Sequence, residues 1–226
     1  MIIEAHNASL VYRDGTEALK PFDLCIGKGD LALITGPSGS GKTSLLKLML
    51  GMEFTTTGSF AVLGTALRAG RDHAVRSLRQ QIGPVFQEFR LMPGRTVLDN
   101  VLLGMRFLPV SGHDMRAGAL EAIRRVGLDA KTLQKVDYLS WGECQRVAIA
   151  RAVARKPALI IADEPTGNLD HDNALNILRL LSDFCTPETG VVITTHATHL
   201  IDNTAPGLHI RMEAGSLSVE RRGRHG

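Results

Sequence analysis

The sequence predicts an α/β fold: a mostly parallel sheet with helices on its faces and a helical lobe inserted into it. Three short apolar runs carry this reading, Leu31-Ala32-Leu33-Ile34-Thr35, Ala158-Leu159-Ile160-Ile161-Ala162 and Val191-Val192-Ile193-Thr194-Thr195. Strands buried on both faces read as continuous apolar runs, and helical patterns lie between these three, as parallel crossovers require.

Taken in order, residues 2–12 mix apolar and polar positions and end at Arg13-Asp14-Gly15, a strand followed by a turn. The first apolar run leads into a glycine-rich loop, then into a helix over 43–50 that Gly51 closes. Residues 88–138 are punctuated by Pro93, Gly94, Pro109 and Gly112 and hold helical patches at 97–106 and at 114–126, the second closing at Gly127. A helix over Gln145–Lys156 stops at Pro157, because proline lacks the N–H that a helix needs. A further helix covers 171–182, and 210–217 forms a small hairpin. The expected organisation is a core of 1–87 and 144–220, a helical lobe of 88–143, and a disordered tail, Arg221-Arg222-Gly223-Arg224-His225-Gly226.

Composition narrows the class. A chain of 226 residues with 44% hydrophobic and 22% charged residues supports one sizeable soluble core. A net charge of +3 gives no argument for nucleic acid as a partner. Cys25, Cys144 and Cys185 have neither metal-ligand spacing nor the even count of a disulfide framework, which favours a reducing compartment. No basic segment with an apolar run opens the chain, and no stretch approaches the roughly 20 apolar residues that cross a bilayer. Any spanning part of a membrane complex would come from another chain.

Gly36-Pro37-Ser38-Gly39-Ser40-Gly41-Lys42-Thr43 fits the pattern G-x-x-x-x-G-K-[ST], and Ser44 follows it into the helix. The glycines let backbone N–H groups turn inward toward phosphate oxygens, and the helix that begins near Lys42 adds its positive end. Lys42 can reach the β- and γ-phosphates as a point charge, and the Thr43 hydroxyl is the expected Mg2+ ligand. Two carboxylates, Asp163 and Glu164, end the second apolar run. Alternation along a strand lets them differ in role, Asp163 holding the metal and Glu164 polarising an attacking water. His196 follows the third run, where phosphate-handling groups collect, and is read as a γ-phosphate contact.

Leu139-Ser140-Trp141-Gly142-Glu143-Cys144-Gln145-Arg146 precedes the helix leading to the acidic strand. It resembles the signature of the ABC ATPase family. The order of phosphate loop, Gln87, signature, Asp163-Glu164, Gly167-Asn168-Leu169-Asp170 and His196 is also similar to that family's. The resemblance implies a P-loop NTPase (RecA-like) core, a small N-terminal antiparallel β region and the inserted helical lobe. It implies ATP and Mg2+ as cofactors, ATP hydrolysis, and a head-to-tail homodimer with ATP held between one subunit's phosphate loop and the other's signature. Ser140, Gly142 and Glu143 would then meet the partner copy's nucleotide. Tyr12 would stack on adenine, Gln87 would sense magnesium and the membrane partner, and Asp170 would couple the two sites.

Phe86 to Val101 and Ala162 to Asp170 are similar to the FtsE, LolD and MacB branch, and the stretch Arg90 to Val101 is closest to FtsE. That implies an FtsX-like integral membrane partner docking near Gln87 and 88–100, with the chain peripheral on the cytoplasmic face of the cell membrane. Phe89 and Leu91 are expected to be exposed there. A LolD- or MacB-like exporter ATPase and a signalling module with weak hydrolysis stay open as alternatives. The chain departs from the family at Trp141, where glycine is usual. The indole either packs on the helical lobe or slows dimer closure and hydrolysis.

Overall fold

The computed structural model describes residues 1–109, 111–167, 169–196 and 207–222. Asn168 and the expected tail residues 223–226 lie outside them. Two sheets organise the described chain. The first is antiparallel, in the order β2 (Glu17–Ile26), β1 (Ile3–Val11), β4 (Thr57–Val62), β5 (Thr65–Ala66). The second has the order β10 (Ser216–Arg221), β9 (Leu208–Glu213), β3 (Leu31–Thr35), β8 (Gly190–Thr195), β7 (Leu159–Asp163), β6 (Ile82–Val85). Its strands β9, β3, β8, β7 and β6 run parallel, and β10 closes the edge as an antiparallel hairpin with β9.

Alternation along the central strands splits the core in two. Leu31, Leu33, Ile160, Ala162, Val191 and Ile193 face one side. There they meet helices α3 (Val97–Met105), α4 (Gly112–Arg125), α5 (Trp141–Val153) and α6 (His171–Asp183). Ala32, Ile34, Leu159, Ile161 and Val192 face the other side, against α1 (Lys42–Met49), α2 (Asp72–Gln80) and the antiparallel sheet. Both faces of the parallel sheet are covered, which is why its strands carry unbroken apolar runs.

The helices on the first side begin with side-chain caps. Thr96 and Asp99 form a reciprocal capping box at α3, the Ser111 hydroxyl accepts the Asp114 N–H at α4, and Asp170 accepts the Asn173 N–H at α6. Each such cap is worth about 1 kcal/mol. The helix expected from Gln145 starts instead at Trp141, because Ser140 and Glu143 form a second capping box that recruits Gly142 into the first turn.

The tail also needs correction at its first two residues, for the Arg222 N–H donates to the Gly207 carbonyl at 2.9 Å. Arg221 is the last residue of β10, pairs with Leu208, and forms a two-pronged ion pair with Asp30 at 2.9 and 3.0 Å. Arg221 therefore belongs to the sheet, because a buried-edge carboxylate holds it there. The three cysteines are free, and among the described residues no helix is long and apolar enough to cross a membrane.

Candidate functional site

The parallel strands β3, β8, β7 and β6 lie side by side, so their carboxyl ends form one edge. That edge delivers Gly36, His196, Asp163 with Glu164, and Gln87 respectively, as the end of an open α/β sheet does for its ligand. Four sequence segments separated by up to 160 residues thus converge through strand order alone.

The glycine loop is shaped for close approach. A Cβ on Gly36 would sit 2.2 Å from the Met212 carbonyl oxygen, and one on Gly41 would sit 2.6 Å from that of Ala18. Gly39 has open space around it, but its φ of +78° favours glycine. Pro37 accepts the Ser40 N–H at 3.2 Å, and Ser40 is buried while Pro37, Ser38 and Gly39 are exposed. Helix α1 starts at Lys42, so its unpaired N–H groups open beside the loop. Lys42 is 6% exposed, and its ammonium donates to the Gly36 carbonyl at 2.8 Å and the Pro37 carbonyl at 3.0 Å. A positive cradle of this kind fits a phosphate chain. Tyr12 flanks it: its hydroxyl bonds the Ser44 hydroxyl at 3.0 Å, and Lys47 Nζ lies 5.6 Å from its ring centre.

The acidic end of β7 faces the loop. Lys42 Nζ is 3.7 Å from Glu164 Oε1, and Glu164 Oε2 is in hydrogen-bonding contact with His196 Nδ1. Glu164 holds a left-handed backbone, φ +46°, a conformation that costs a side-chain-bearing residue energy and recurs at functional sites. Thr194 secures it: the Thr194 hydroxyl accepts the Glu164 N–H at 2.9 Å and donates to Asp163 Oδ1 at 2.8 Å. Burial pushes the Asp163 carboxyl above its ordinary range. The Thr194 hydrogen bond opposes that, the Glu164 charge adds to it, and Lys42 opposes it again. Thr43 and Asp163 line the same cleft of about 170 Å³, along with Phe86 and Arg90. One hydroxyl and one carboxylate are the hard oxygen donors that Mg2+ takes from protein when phosphates and water supply the rest.

Beyond β6, Gln87 is exposed, and its Nε2 lies 4.0 Å from where a Gly167 Cβ would be. Phe89 and Leu91, expected to be exposed, are half-buried. Phe89 packs on Trp141 with ring centres 4.5 Å apart and planes tilted by 59°, and Leu91 packs against the core. Arg151 on α5 fixes this segment, donating to the Phe89 carbonyl at 2.5 Å and the Arg90 carbonyl at 2.7 Å.

The signature residues occupy a different place. Ser140 caps α5 at the surface, its hydroxyl accepting the Glu143 N–H and its own N–H donating to Glu143 Oε2. Glu143 Oε1 also pairs with Lys131 at 2.5 Å, which holds the Glu143 carboxyl below its usual range, helped by the Ser140 N–H. Gly142 lies against α6, where an added Cβ would meet Asn173 and Leu169 at 3.9 Å. Asp170 is exposed and accepts from both the N–H and the side-chain amide of Asn173. Among the described residues, no hydrogen bond joins Ser140, Gly142 or Glu143 to the phosphate loop of the same chain. Trp141 packs on Phe89 of the helical lobe, one of the two readings expected for it, and its indole N–H donates to the Gly167 carbonyl at 3.3 Å.

Three supporting residues escaped the sequence reading. Thr194 is a polar residue inside an apolar strand, which was the signal. Arg151 is a charged residue on an otherwise apolar helix face. Asn100, 0% exposed, bonds both the Met92 N–H and carbonyl and so sets the entry to α3.

Known proteins resemble this chain in sequence and fold. The profile of the ABC transporter family matches residues 19–167. The cell division ATP-binding protein FtsE of Escherichia coli K12 is 40% identical over 200 residues, covering 88% of this chain and 90% of that protein. FtsE of Mycobacterium tuberculosis H37Rv is 36% identical over 228 residues, covering 100% and 99%. The cassette MJ0796, solved as a dimer in a post-hydrolysis state with ADP and Pi, superposes with a TM-score of 0.85 at 33% identity, covering 98% of this chain and 100% of that one. With a phosphate loop, an acidic strand end and a capped signature helix on this fold, the chain belongs to the ABC transporter family as one of its ATP-hydrolysing cassettes.

Proposed function

We propose that this chain is the ATPase subunit of an FtsE-type complex. It works as a head-to-tail homodimer on the inner face of the cell membrane, with an FtsX-like integral membrane partner. One observation carries the reading. Lys42, Asp163, Glu164 and His196 gather at one sheet edge, whereas Ser140 presents a capped, exposed helix start elsewhere on the same subunit. Two copies placed head to tail supply each site with both parts.

In that arrangement Lys42 leaves its loop carbonyls for the β- and γ-phosphates. The N-terminus of α1 and the glycine-loop amides hold the remaining phosphate charge. Tyr12, beside Ser44, stacks on the adenine. Glu164 accepts the proton of the attacking water while His196 orients it and contacts the γ-phosphate. Mg2+, held by Thr43 and Asp163 with Gln87 nearby, would neutralise phosphate charge. Phosphoryl transfer asks the protein for positioning and charge stabilisation, and these side chains offer both. Ser140, Gly142 and the α5 N-terminus meet the γ-phosphate of the partner's ATP, and the Glu143 carboxylate holds that cap in shape. Asp170 relays between the sites. The lobe of residues 88–143 carries this signature and moves against the core. The membrane partner docks near Gln87 and the segment 88–100.

Glu164→Gln tests this reading. Hydrolysis should fall about 100-fold or more, the scale of removing a group that acts in the transition state. Light scattering should show a dimer that needs ATP. A Glu164→Gln protein that hydrolyses at the wild-type rate, or stays monomeric with ATP, overturns it. Whether the membrane protein that co-purifies is FtsX-like or an exporter permease decides between the FtsE reading and a LolD- or MacB-like one.

A further inference from the structure

We infer that Trp141 is a positioning residue that ties the signature of a subunit to that same subunit's Glu164, so that ATP in one site of the dimer adjusts catalysis in the other. The inference rests on the head-to-tail dimer proposed above.

Trp141 is the first residue of α5, adjacent to the Ser140 cap, and is 48% exposed. Its side chain reaches two other loops at once. The indole N–H donates to the Gly167 carbonyl at 3.3 Å, and the ring meets Phe89 at 4.5 Å between centres with the planes at 59°. The Gly167 end of this link is short. The Gly167 N–H donates to the Glu164 carbonyl at 3.1 Å, closing one turn onto the residue with the left-handed backbone. A displacement of the Gly167 carbonyl therefore acts on Glu164 through a single turn. The Phe89 end is stiff, because Arg151, further along the same helix, grips the Phe89 and Arg90 carbonyls. The start of α5, the segment after Gln87 and the loop from Glu164 to Asp170 thus share one side chain.

A small residue at position 141 could make neither contact. Gly142, which has no side chain, would then face the Asp170 side, where an added Cβ would lie 3.9 Å from Asn173 and Leu169. Ser140 and Gly142 face the partner's nucleotide in the dimer. Whatever tilt that engagement gives α5, the indole passes to Gly167 and Glu164. Coupling of this kind is a difference in free energy between two arrangements, and it shows as cooperativity between the sites.

Steady-state hydrolysis against ATP concentration provides the test, with the wild type, Trp141→Ala, Trp141→Phe and Phe89→Ala as full chains. The wild type should show a Hill coefficient above one. Trp141→Ala should bring it to one and lower kcat by about 5- to 10-fold, within the usual range of intersite coupling. Binding of a fluorescent ATP analogue to the single subunit should stay at wild-type strength. Trp141→Phe keeps the ring pair and loses the N–H, so it should recover part of the cooperativity. Trp141 is the sole tryptophan. Its emission should shift on adding ATP in the Glu164→Gln background, and Phe89→Ala should alter that shift. A Trp141→Ala protein with wild-type kcat and Hill coefficient overturns the inference. So does a loss of analogue binding that matches the loss of rate, or a non-cooperative wild type. If Glu164→Gln forms no ATP-dependent dimer, the functional reading itself fails and this inference falls with it. If that dimer forms and Trp141→Ala still cooperates, only the coupling role of Trp141 fails.

Discussion

The Thr194 hydroxyl holds Asp163 and Glu164 together, donating to the Asp163 carboxylate at 2.8 Å and accepting the Glu164 N–H at 2.9 Å. Thr194 is fully buried, and its Cα pairs with that of Asp163 across adjacent parallel strands. Thr194→Val keeps the shape and removes both bonds. A buried N–H left without a partner costs about 1–3 kcal/mol, so denaturant unfolding should show a loss of that size. The Asp163 carboxyl also loses the contact that opposes its upward shift. Half-saturation of hydrolysis by Mg2+ should then need about 10-fold more metal, the effect usual for losing a partner of a metal-binding side chain.

Lys42 is held by two loop carbonyls and faces Glu164. Lys42→Ala should weaken ATP binding by at least about 10-fold, as loss of a charge-assisted contact does. Thermal unfolding checks it. ATP at about 100 times its Kd stabilises a protein by about 2.7 kcal/mol. The variant should lose most of the upward Tm shift that ATP gives the wild type.

The Arg221–Asp30 pair makes a prediction about acid stability. The Arg221 guanidinium, foremost, and the Gly27 N–H hold the Asp30 carboxyl below its ordinary value of 3.8, against the opposing effect of burial. A depressed carboxyl favours the folded state above the unfolded value, and that stability is lost as pH falls through the folded value. Arg221 is more than half exposed, so solvent screening limits the pair to about 1 kcal/mol. Arg221→Ala should be less stable than the wild type by that amount at pH 7. In urea titrations the two should converge as the pH drops below 3.8.

Arg151 restrains the segment after Gln87, including Arg90 with its left-handed φ of +48°. Arg151→Ala should cost about 1.5–3 kcal/mol, since hydrogen bonds from a charged donor are among the stronger ones. Hydrogen exchange over 88–92 should rise while the phosphate loop keeps its protection. Equal loosening in both places would show that Arg151 supports the whole domain instead.

The central strands could be read in the sequence because both of their faces are buried. The apolar runs at 31–35 and 191–195 match β3 and β8 to within a residue. The phosphate loop and the Asp163-Glu164 pair were legible because their chemistry is local. Strands β2, β4 and β5 and helix α2 were not. Strand β2 sets Lys20, Pro21 and Asp23 on its solvent side, and β1 pairs with β4 across some 50 residues, so no short window shows either partner. Helix α5 starts at Trp141, four residues before the expected Gln145. Ser140 and Glu143 stand at capping-box spacing, a signal that was present in the sequence. Phe89 was misread because its partner Trp141 lies 52 residues away, and burial by a distant aromatic leaves no local pattern.

The hairpin of β9 and β10 has a consequence for truncation. Its Met212 carbonyl crowds Gly36, and the Gly215 N–H donates to the Ser40 carbonyl at 3.1 Å while the Gly215 carbonyl accepts the Lys20 N–H at 2.9 Å. One wall of the glycine loop is therefore made of residues far along the chain from the loop itself. A fragment that ends before residue 208 carries the whole glycine loop and lacks the buttress that shapes it, so calorimetry should find that it binds ATP more weakly than the intact chain.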